Sequence, residues 1–307
     1  MNIRVQKYHG NPILLPQLGE RSFEGACVYN PAAVVKDGKV HLLYRAEEGY
    51  YDRYVSRVAL AISEDGFAFE RYPNNPIIDR DPAREEEKRG IEDLRLIETK
   101  QGYFLTYTAY AGLNEEGITQ IKLCGALSKD LVHWEKIGTL VPGREKAGAI
   151  VQDYKYKDRY VMYLGEGVLK VAFSKNLKLW EVKEQPVLEP REGYFDDFLV
   201  EGGPPPIVMD KWILVIYNSA RGGVGYEGKR EFVSYAPGYA LFDKDDPAKL
   251  LFRSSQPIME PTEYWEKYAK INYVIFANGL VHFRNKWLLY YGGADKSIGV
   301  AELMLTE

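Results

Sequence analysis

The 307-residue sequence has few of the residues that build metal, haem and disulfide sites. Its two cysteines, Cys27 and Cys124, and its four scattered histidines form no metal-ligand spacing and no disulfide framework. No apolar run approaches the roughly 18 residues of a membrane span, and the first residues, MNIRVQKYHGNP, lack the apolar stretch of a secretion signal. These absences argue against zinc, haem and disulfide-scaffold proteins. They predict a cytoplasmic protein with no metal and no membrane partner.

An excess of positive charge is also missing. Lys and Arg number 40 against 44 Asp and Glu, which gives a formal net charge of −4 and a pI near 5.8. Because nucleic-acid phosphates require clustered Lys and Arg, we expect no nucleic-acid partner. The 46% of hydrophobic and 27% of charged residues are typical of a globular chain that buries a core.

Tyrosine, by contrast, is abundant, with 24 residues, and it is typical of β-strands. A polar turn followed by an apolar or aromatic run with a tyrosine near its end occurs five times along the chain. The copies are DGKVHLLYR (37–45), KQGYFLTYT (100–108), KDRYVMYLG (157–165), DKWILVIYN (210–218) and RNKWLLYYG (284–292). Each copy lies between two further strand-like segments, and three copies lead into a turn and a fourth strand.

This unit of three or four antiparallel strands, repeated five times, predicts an all-β fold. Radial repetition of four-stranded sheets is a β-propeller, so we expect a five-bladed propeller with a central axial pocket and one domain over residues 1–307. The N-terminal strand is expected to complete the last blade, because a closed ring leaves no free sheet edges. The alternative is a β-sandwich whose strands resemble one another by chance.

In a propeller the first strand of each blade lines the central channel, so polar groups at the starts of these strands converge on one pocket. The starts carry Asn30, Glu92, Asp93, Arg144, Lys146, Glu201 and Asn278. Two carboxyl groups around such a pocket are the chemical parts of a glycosidase, in which one acts as an acid and the other as a base or nucleophile. The alternative for any one of these residues is that it caps a turn.

The neighbours of these residues favour the site. GIEDLRL places Glu92, Asp93 and Arg95 inside an apolar frame, where buried charges must be paired. Arg45 and Asp295 follow the second-strand tyrosines of the first and last blades, in YRAE and YYGGAD.

With these residues the chain resembles glycoside hydrolase family 130, the five-bladed propellers that act on β-linked mannosides. The resemblance runs over nearly the whole length, and its motifs are YNPAAVVKDGKVHLLYRAE (29–47), SRVALAISEDG (56–66), GIEDLRL (90–96), GGPPPIV (202–208), YALFDKDDPAKLLFRS (239–254) and YYGGAD (290–295). The family's acidic E-D-P-R motif falls on Glu92 and Asp93, with Leu94 in place of proline. The resemblance implies that Asp93 is the catalytic acid. The sugar-contacting positions that it implies are Asn30, Arg45, Arg57, Arg95, Tyr235 and Asp295. Glu92 is added as a substrate-binding residue because of its place at a strand start beside Asp93.

Family members that use phosphate in place of water hold it with basic residues, and this chain departs from that pattern. Gly165 and Glu166 stand where the family's phosphorylases have an arginine segment, Glu201 lies in the segment where a lysine is expected, and Asn218 replaces a histidine. Phosphate would be repelled by the glutamates, whereas water needs a carboxylate to take its proton. We therefore expect an inverting, exo-acting β-mannosidase that acts on β-1,2-linked mannose, with Asp93 as acid and Glu201 or Glu166 as base. Their carboxyl groups should then lie roughly 6.5–9.5 Å apart.

Two alternatives stay open. The first is a mannoside phosphorylase that uses inorganic phosphate as a co-substrate and holds it with Arg144, Lys146 and Arg57. The second is a non-catalytic sugar-binding propeller. All three hypotheses share a small oligosaccharide as ligand and need no cofactor, and the sequence leaves the oligomeric state open.

Overall fold

The structure, a computed structural model, describes residues 2–19, 22–50 and 54–306. The part of the chain that it describes consists almost entirely of β-strands, with one short helix, α1 (Tyr264–Lys267), and single 3-10 turns at Ser22–Glu24, Glu85–Glu87 and Tyr226–Gly228. None of the helices found in the described residues has the length and apolar character needed to cross a bilayer.

The strands form five antiparallel four-stranded units, which are the predicted blades. Blade 1 contains β2 (Cys27–Lys36), β3 (Lys39–Glu47), β4 (Ser56–Ser63) and β5 (Glu70–Arg71), and blade 2 contains β6 (Gly90–Thr99), β7 (Gly102–Leu113), β8 (Thr119–Ser128) and β9 (Trp134–Thr139). Blade 3 contains β10 (Ala149–Ile150), β11 (Tyr160–Leu164), β13 (Lys170–Ser174) and β14 (Glu181–Val182). Blade 4 contains β15 (Leu199–Gly202), β17 (Trp212–Val224), β18 (Arg230–Asp243) and β19 (Asp246–Arg253). Blade 5 contains β20 (Ile275–Phe283), β21 (Lys286–Gly293), β22 (Ser297–Thr306) and the N-terminal β1 (Asn2–Lys7).

The N-terminal strand closes the ring as predicted, because β1 pairs antiparallel with β22, from Asn2 opposite Thr306 to Lys7 opposite Ala301. Two short extra strands lie near the axis. β12 (Glu166–Gly167) leaves blade 3 and pairs with β15 of blade 4, and β16 (Ile207–Val208) pairs with β17. The inner strand of blade 4 is thus broken into β15 and β16, since the prolines between them have no N–H to donate to a ladder.

In the described residues, the five large clusters of the hydrophobic core each join two neighbouring blades, and a small sixth cluster contains Ala26, Cys27 and Tyr29. Leu43 of blade 1 packs with Leu105 of blade 2, for example, and Leu42 of blade 1 packs with Leu288 of blade 5. The other three clusters join blades 3 and 4, blades 4 and 5, and blades 2 and 3. Each blade therefore buries both of its faces only when the ring is complete, which makes closure the source of most of the apolar stabilisation.

The five repeated tyrosines are all buried, and four of them donate a hydrogen bond to a buried carboxylate. The pairs are Tyr44–Glu24, Tyr107–Glu87, Tyr217–Asp196 and Tyr291–Glu266, with oxygen–oxygen distances of 2.8–2.9 Å. Tyr163 of blade 3 donates instead to the carbonyl of Pro247 at 2.8 Å. Each of the four carboxylates also pairs with a cation: Arg71, Lys136, Arg191 with Arg253, and Lys7, respectively.

These carboxylates lie on the chain segments that enter or connect blades. Glu24 and Glu87 end 3-10 turns, and Glu266 lies in α1. The connections at 81–90 and 262–270 thus form single helical turns that bring a carboxylate beneath a blade tyrosine. Because a tyrosine hydroxyl and a cation both contact each buried carboxylate, the connections are fixed to the blades by polar contacts as well as by packing.

We expect Glu87→Gln to lower the free energy of unfolding by about 3 kcal/mol, because the substitution leaves the Lys136 ammonium buried without its partner charge. Tyr107→Phe removes one hydrogen bond from the same carboxylate and should cost about 1 kcal/mol. Urea denaturation of the two variants and the wild type measures both values. Equal stability of Glu87→Gln and the wild type would show that the ion pair contributes nothing.

Candidate active site

A cavity of about 340 Å³ lies at one end of the central axis, and all five blades or their connections contribute to it. Its walls combine ionisable groups with aromatic rings. The lining residues are Tyr29, Asn30, Arg45, Tyr54, Glu92, Asp93, Lys146, Glu166, Glu201, Phe232, Tyr235, Lys270, Ile271, Val274, Phe276 and Asp295. We refer to this cavity as the axial pocket.

The backbone at the axial pocket is irregular in a way that aims polar side chains inward. Asn30, Asp93 and Asp295 have positive φ angles of 46°, 50° and 53°, and the ladders of β2 and β6 are interrupted at Asn30 and Asp93. A regular strand would send adjacent side chains to opposite faces. The bulge in β6 allows Glu92 and Asp93 to line the same pocket, and bulges of this kind are common next to active sites.

Asp93 is buried and strongly paired. Its Oδ2 lies 3.0 Å from Lys146 Nζ, its Oδ1 lies 3.5 Å from Arg45 Nη1, and Asn30 Nδ2 donates to Oδ1 at 2.8 Å. Burial raises the pKa of a carboxyl group, but here the charges of Lys146 and Arg45 outweigh burial and hold the pKa of Asp93 well below its usual range. Asp93 is therefore ionised in this structure.

The pKa of Glu92 shifts in the opposite direction from that of Asp93. Burial raises the pKa of Glu92 to about 7, although Arg45 Nη2 lies 2.6 Å from its Oε1 and acts to lower it. Glu92 and Asp93 are adjacent and both contact Arg45, so two like charges share one guanidinium and a proton is held more readily on Glu92. The neighbouring carboxyl groups thus differ in protonation near neutral pH.

Two further carboxylates face Asp93 across Lys146. Glu166 of β12 is directly opposite Glu201 of β15 in the ladder. Lys146 Nζ lies 2.9 Å from Glu201 Oε1 and 3.5 Å from Glu166 Oε1, and the Tyr235 hydroxyl donates to Glu201 Oε2 at 2.8 Å. Burial raises the pKa of Glu201, partly offset by Lys146. One ammonium therefore links all three residues that the sequence nominated for catalysis.

The separation of the two catalytic carboxyl groups stays a prediction of the sequence. Lys146 lies 3.0 Å from Asp93 Oδ2 and 2.9 Å from Glu201 Oε1, so the oxygens that face it lie on either side of one ammonium. Glu166, at 3.5 Å from the same ammonium and one-third exposed, lies farther out toward the mouth of the pocket.

Other nominated residues lie elsewhere or make different contacts. Arg57 is not part of the pocket lining, and its guanidinium pairs with Glu48 and Asp79 at 2.8 and 3.0 Å. Arg95 is buried behind the lining and donates to backbone carbonyls, including that of Gly203 at 3.2 Å. Within GIEDLRL, Arg95 also donates to the carbonyl of Asp93 at 2.8 Å. The sugar contacts of Arg57 and Arg95 stay predictions of the family resemblance.

Two nominated residues lie at the mouth and wall of the pocket. Arg144 is on the rim, about half exposed, with Nη2 3.5 Å from Glu166 Oε2. Asp295 lines the pocket, and burial raises its pKa to about 6. Its carboxyl group has no ion pair or hydrogen bond among the described parts of the chain, which leaves it available to sugar hydroxyls.

The sequence argument missed a group behind Arg45. Glu47 is fully buried, and it contacts Arg45 Nη2 at 2.7 Å and Lys270 Nζ at 2.6 Å. The Tyr29 hydroxyl donates to Glu47 at 2.6 Å. A signal for Glu47 was available, because Arg45 and Glu47 are two residues apart on one strand and therefore share a face. Lys270 follows α1 rather than an inner strand, and nothing in its sequence neighbourhood indicated the site.

A propeller whose axial pocket collects opposed carboxyl groups, sugar-sized space and aromatic walls belongs to the class of carbohydrate-active enzymes. Comparisons with known proteins agree with this assignment. The family model of glycoside hydrolase family 130, described as beta-1,4-mannooligosaccharide phosphorylase, matches residues 2–307. The chain belongs to glycoside hydrolase family 130.

Relatives of known name and structure cover almost the whole chain. A 1,2-beta-oligomannan phosphorylase of Thermoanaerobacter sp. (strain X514) is 32% identical over 311 residues, which is 99% of each chain. A glycosyl hydrolase from Bacteroides ovatus is 31% identical, covers 97% of this chain and 92% of its own, and has a TM-score of 0.86. A solved GH130 structure from work on glycoside hydrolases that target beta-1,2 mannosidic linkages in Candida mannan is 30% identical, with coverages of 97% and 93% and a TM-score of 0.86.

The comparisons establish the family and an enzyme of the β-mannoside-active class. Between the two reactions, the sequence relatives of known activity, such as the oligomannan phosphorylase, support phosphorolysis better than the hydrolysis that the sequence pattern favoured.

The raised pKa of Asp295 predicts a measurable pH dependence of stability. In the folded state this carboxyl group binds its proton more tightly than in the unfolded chain, so the free energy of unfolding falls as pH rises through the ordinary pKa of 3.8 towards about 6. Asp295→Asn removes this loss. We expect the stability of the variant relative to the wild type to rise by about 1–3 kcal/mol between pH 4 and pH 7, measured by urea denaturation at both pH values. A constant difference would contradict the burial of this group.

Proposed function

We propose that the protein is a hydrolase that removes the terminal sugar from short β-linked mannosides with inversion at the anomeric carbon. β-1,2-Linked mannose is the proposed substrate, in line with the linkage named for the oligomannan phosphorylase and for the hydrolases of the family. The observation behind the choice of water as acceptor is the pair of glutamates, Glu166 and Glu201, opposite Asp93. A pocket at the end of the axis suits a substrate that enters end-on.

In the proposed mechanism Asp93 supplies the proton that the leaving oxygen needs. Lys146 and Arg45 keep Asp93 ionised in this structure, so Asp93 has to gain its proton as the sugar binds. A sugar that moves the Lys146 ammonium from Asp93 towards Glu201 raises the pKa of Asp93 and lowers that of Glu201. One movement of the ammonium then sets both groups for their roles, Asp93 as acid and Glu201 as base.

Glu201 is the proposed base, with Glu166 beside it as the second acceptor for the attacking water. Glu201 is held in place by the Tyr235 hydroxyl and by its position in β15. Glu166 is one-third exposed and lies where water enters the pocket. A carboxylate is the group that takes a proton from water during inversion.

The charges of the pocket disfavour phosphate as acceptor. Five carboxyl groups line it, and its three lining cations are Arg45, Lys146 and Lys270, each of which already lies within 3 Å of a carboxylate. A phosphate dianion would have to displace a carboxylate from Lys146 and remain beside the others, and each close like-charge contact in a poorly solvated pocket is unfavourable on the kcal scale.

Phosphorolysis is the second candidate, and the identity to the oligomannan phosphorylase favours it. In that case Lys146 and the rim residue Arg144 would hold inorganic phosphate after parting from Glu166. Arg57, engaged with Glu48 and Asp79, lies outside that arrangement.

The test is incubation with β-1,2-mannobiose in buffer with and without inorganic phosphate, with β-1,4-mannobiose as the linkage control. We expect mannose at the same rate in both buffers, released first as the α-anomer by NMR because inversion changes the anomeric configuration. Formation of mannose 1-phosphate only with phosphate would establish the second candidate. Binding of the disaccharide without any turnover would indicate a sugar-binding propeller.

Variants assign the roles. Asp93→Asn and Glu201→Gln should each lower kcat by at least about 10²-fold, because proton transfer by a positioned group contributes about that much. Glu166→Gln should cause a smaller loss if Glu166 only assists Glu201. The matched control Glu87→Gln removes an equally buried carboxylate outside the pocket and should leave kcat unchanged at a temperature where it is folded. A larger loss in Glu166→Gln than in Glu201→Gln would reverse the assignment of the base.

A further inference from the structure

We infer that Lys270 is a positioning residue, which acts through Glu47 on Arg45 and through Arg45 on the Glu92–Asp93 pair. The inference rests on the proposed use of that pair in catalysis, and it is independent of whether water or phosphate is the acceptor.

Lys270 is placed in the site by a segment far from it in sequence. It follows α1, whereas Glu47 ends β3, 223 residues earlier. Its side chain is 11% exposed, its Nζ lies 2.6 Å from Glu47 Oε2, and it donates to the Tyr29 hydroxyl at 2.9 Å. The ammonium also lies 4.3 Å from the centre of the Tyr54 ring. A buried lysine with this many partners is fixed rather than free to follow a ligand.

Glu47 is engaged at both of its carboxylate oxygens. Its Oε2 is taken by Lys270, and its Oε1 lies within 3.0 Å of the Tyr29 hydroxyl, the Ser56 hydroxyl and Arg45 Nη2. The side chain is fully buried, so water does not screen it. Burial alone would raise the pKa of Glu47, but Arg45 and Lys270 together lower it.

Arg45 is shared between Glu47 and the catalytic pair. The same Nη2 lies 2.7 Å from Glu47 and 2.6 Å from Glu92, while Nη1 lies 3.5 Å from Asp93. Because Lys270 neutralises the charge of Glu47, the guanidinium of Arg45 remains available to pair with Glu92. Without Lys270, Glu47 is a buried charge whose one close cation is Arg45, and it competes with Glu92 for that guanidinium.

The consequence is a defined change in the acid pair. As Arg45 shifts towards Glu47, Glu92 and Asp93 lose positive charge, and their pKa values rise. The charged and titratable groups that face Glu47 and Arg45 are Lys270, Cys27, Tyr29, Tyr54, Glu92, Asp93 and Asp295. Asp93 would then keep its proton to a higher pH, so the alkaline limb of the profile of kcat against pH shifts to higher pH. The carboxyl group would also be held in a less fixed orientation, so kcat falls.

The test compares Lys270→Met, Lys270→Arg and Lys136→Met with β-1,2-mannobiose as the probe. Lys136→Met is the matched control, because it breaks a buried lysine–glutamate pair of the same kind, with Glu87, outside the axial pocket. We expect Lys270→Met to lower kcat by about 10-fold or more, with KM changed less than about threefold. The alkaline limb of the profile of kcat against pH should shift to higher pH by about 0.5–1 unit. Lys270→Arg should restore most of kcat and the original limb, and Lys136→Met should change neither.

A tenfold rise in KM for Lys270→Met with an unchanged pH profile would overturn the inference, since it would make Lys270 a sugar contact. An unchanged kcat and limb would overturn it as well. If Lys270→Met does not fold, the double variant Lys270→Met/Glu47→Gln removes both charges and leaves Arg45 to Glu92, so it should regain the wild-type limb. Failure of the proposed function appears in the products formed with and without phosphate, whereas failure of this inference appears in the pH profile of whichever product is formed.

Discussion

The site depends on the alternation of charge around the axis. Cations and carboxylates alternate from one wall of the pocket to the other. Lys270 contacts Glu47, and Glu47 contacts Arg45, which in turn contacts Glu92 and Asp93. Lys146 then joins Asp93 to Glu201. Taking any one of these ions out of water alone would cost several kcal/mol. They can be buried together because each carboxylate has a cation at about 3 Å. The order of charges therefore determines which carboxyl groups are ionised and which hold protons.

The propeller supplies the rigidity that such a chain requires. The core clusters lie between blades, so the inner strands are held in register by the closure of the whole ring. Outside the channel, buried carboxylates beneath four of the blade tyrosines fix the connections between strands. These outer carboxylates lie outside the axial pocket, whereas the pocket itself includes Asp295, whose carboxyl group stands unpaired in the described structure. Stability and chemistry thus use the same residue types in separate places.

The sequence was sufficient for the fold because the blade repeat is local. The tyrosine-terminated strand recurs with its flanking strands, and the period of two along each strand needs no tertiary information. Short inner strands were harder: only Ala149 and Ile150 form β10 within 147–152, and prolines break the strand after Gly202. The carboxylates Asp93, Glu166 and Glu201 could be nominated from their positions. Their ion pairs could not, because Lys146 meets all three carboxylates from a different segment of the chain. Lys270 likewise reaches Glu47 from a distant segment, and Arg95 binds backbone carbonyls.

The most direct test of the account is a crystal structure of the Asp93→Asn variant grown with β-1,2-mannobiose and inorganic phosphate. The account predicts the terminal mannose in the axial pocket, a water molecule between its anomeric carbon and the Glu201 and Glu166 carboxylates, and Lys146 displaced towards Glu201. A phosphate ion in place of that water, held by Lys146 and Arg144 with the glutamates turned away, would contradict the central claim that the carboxylates of this pocket select water.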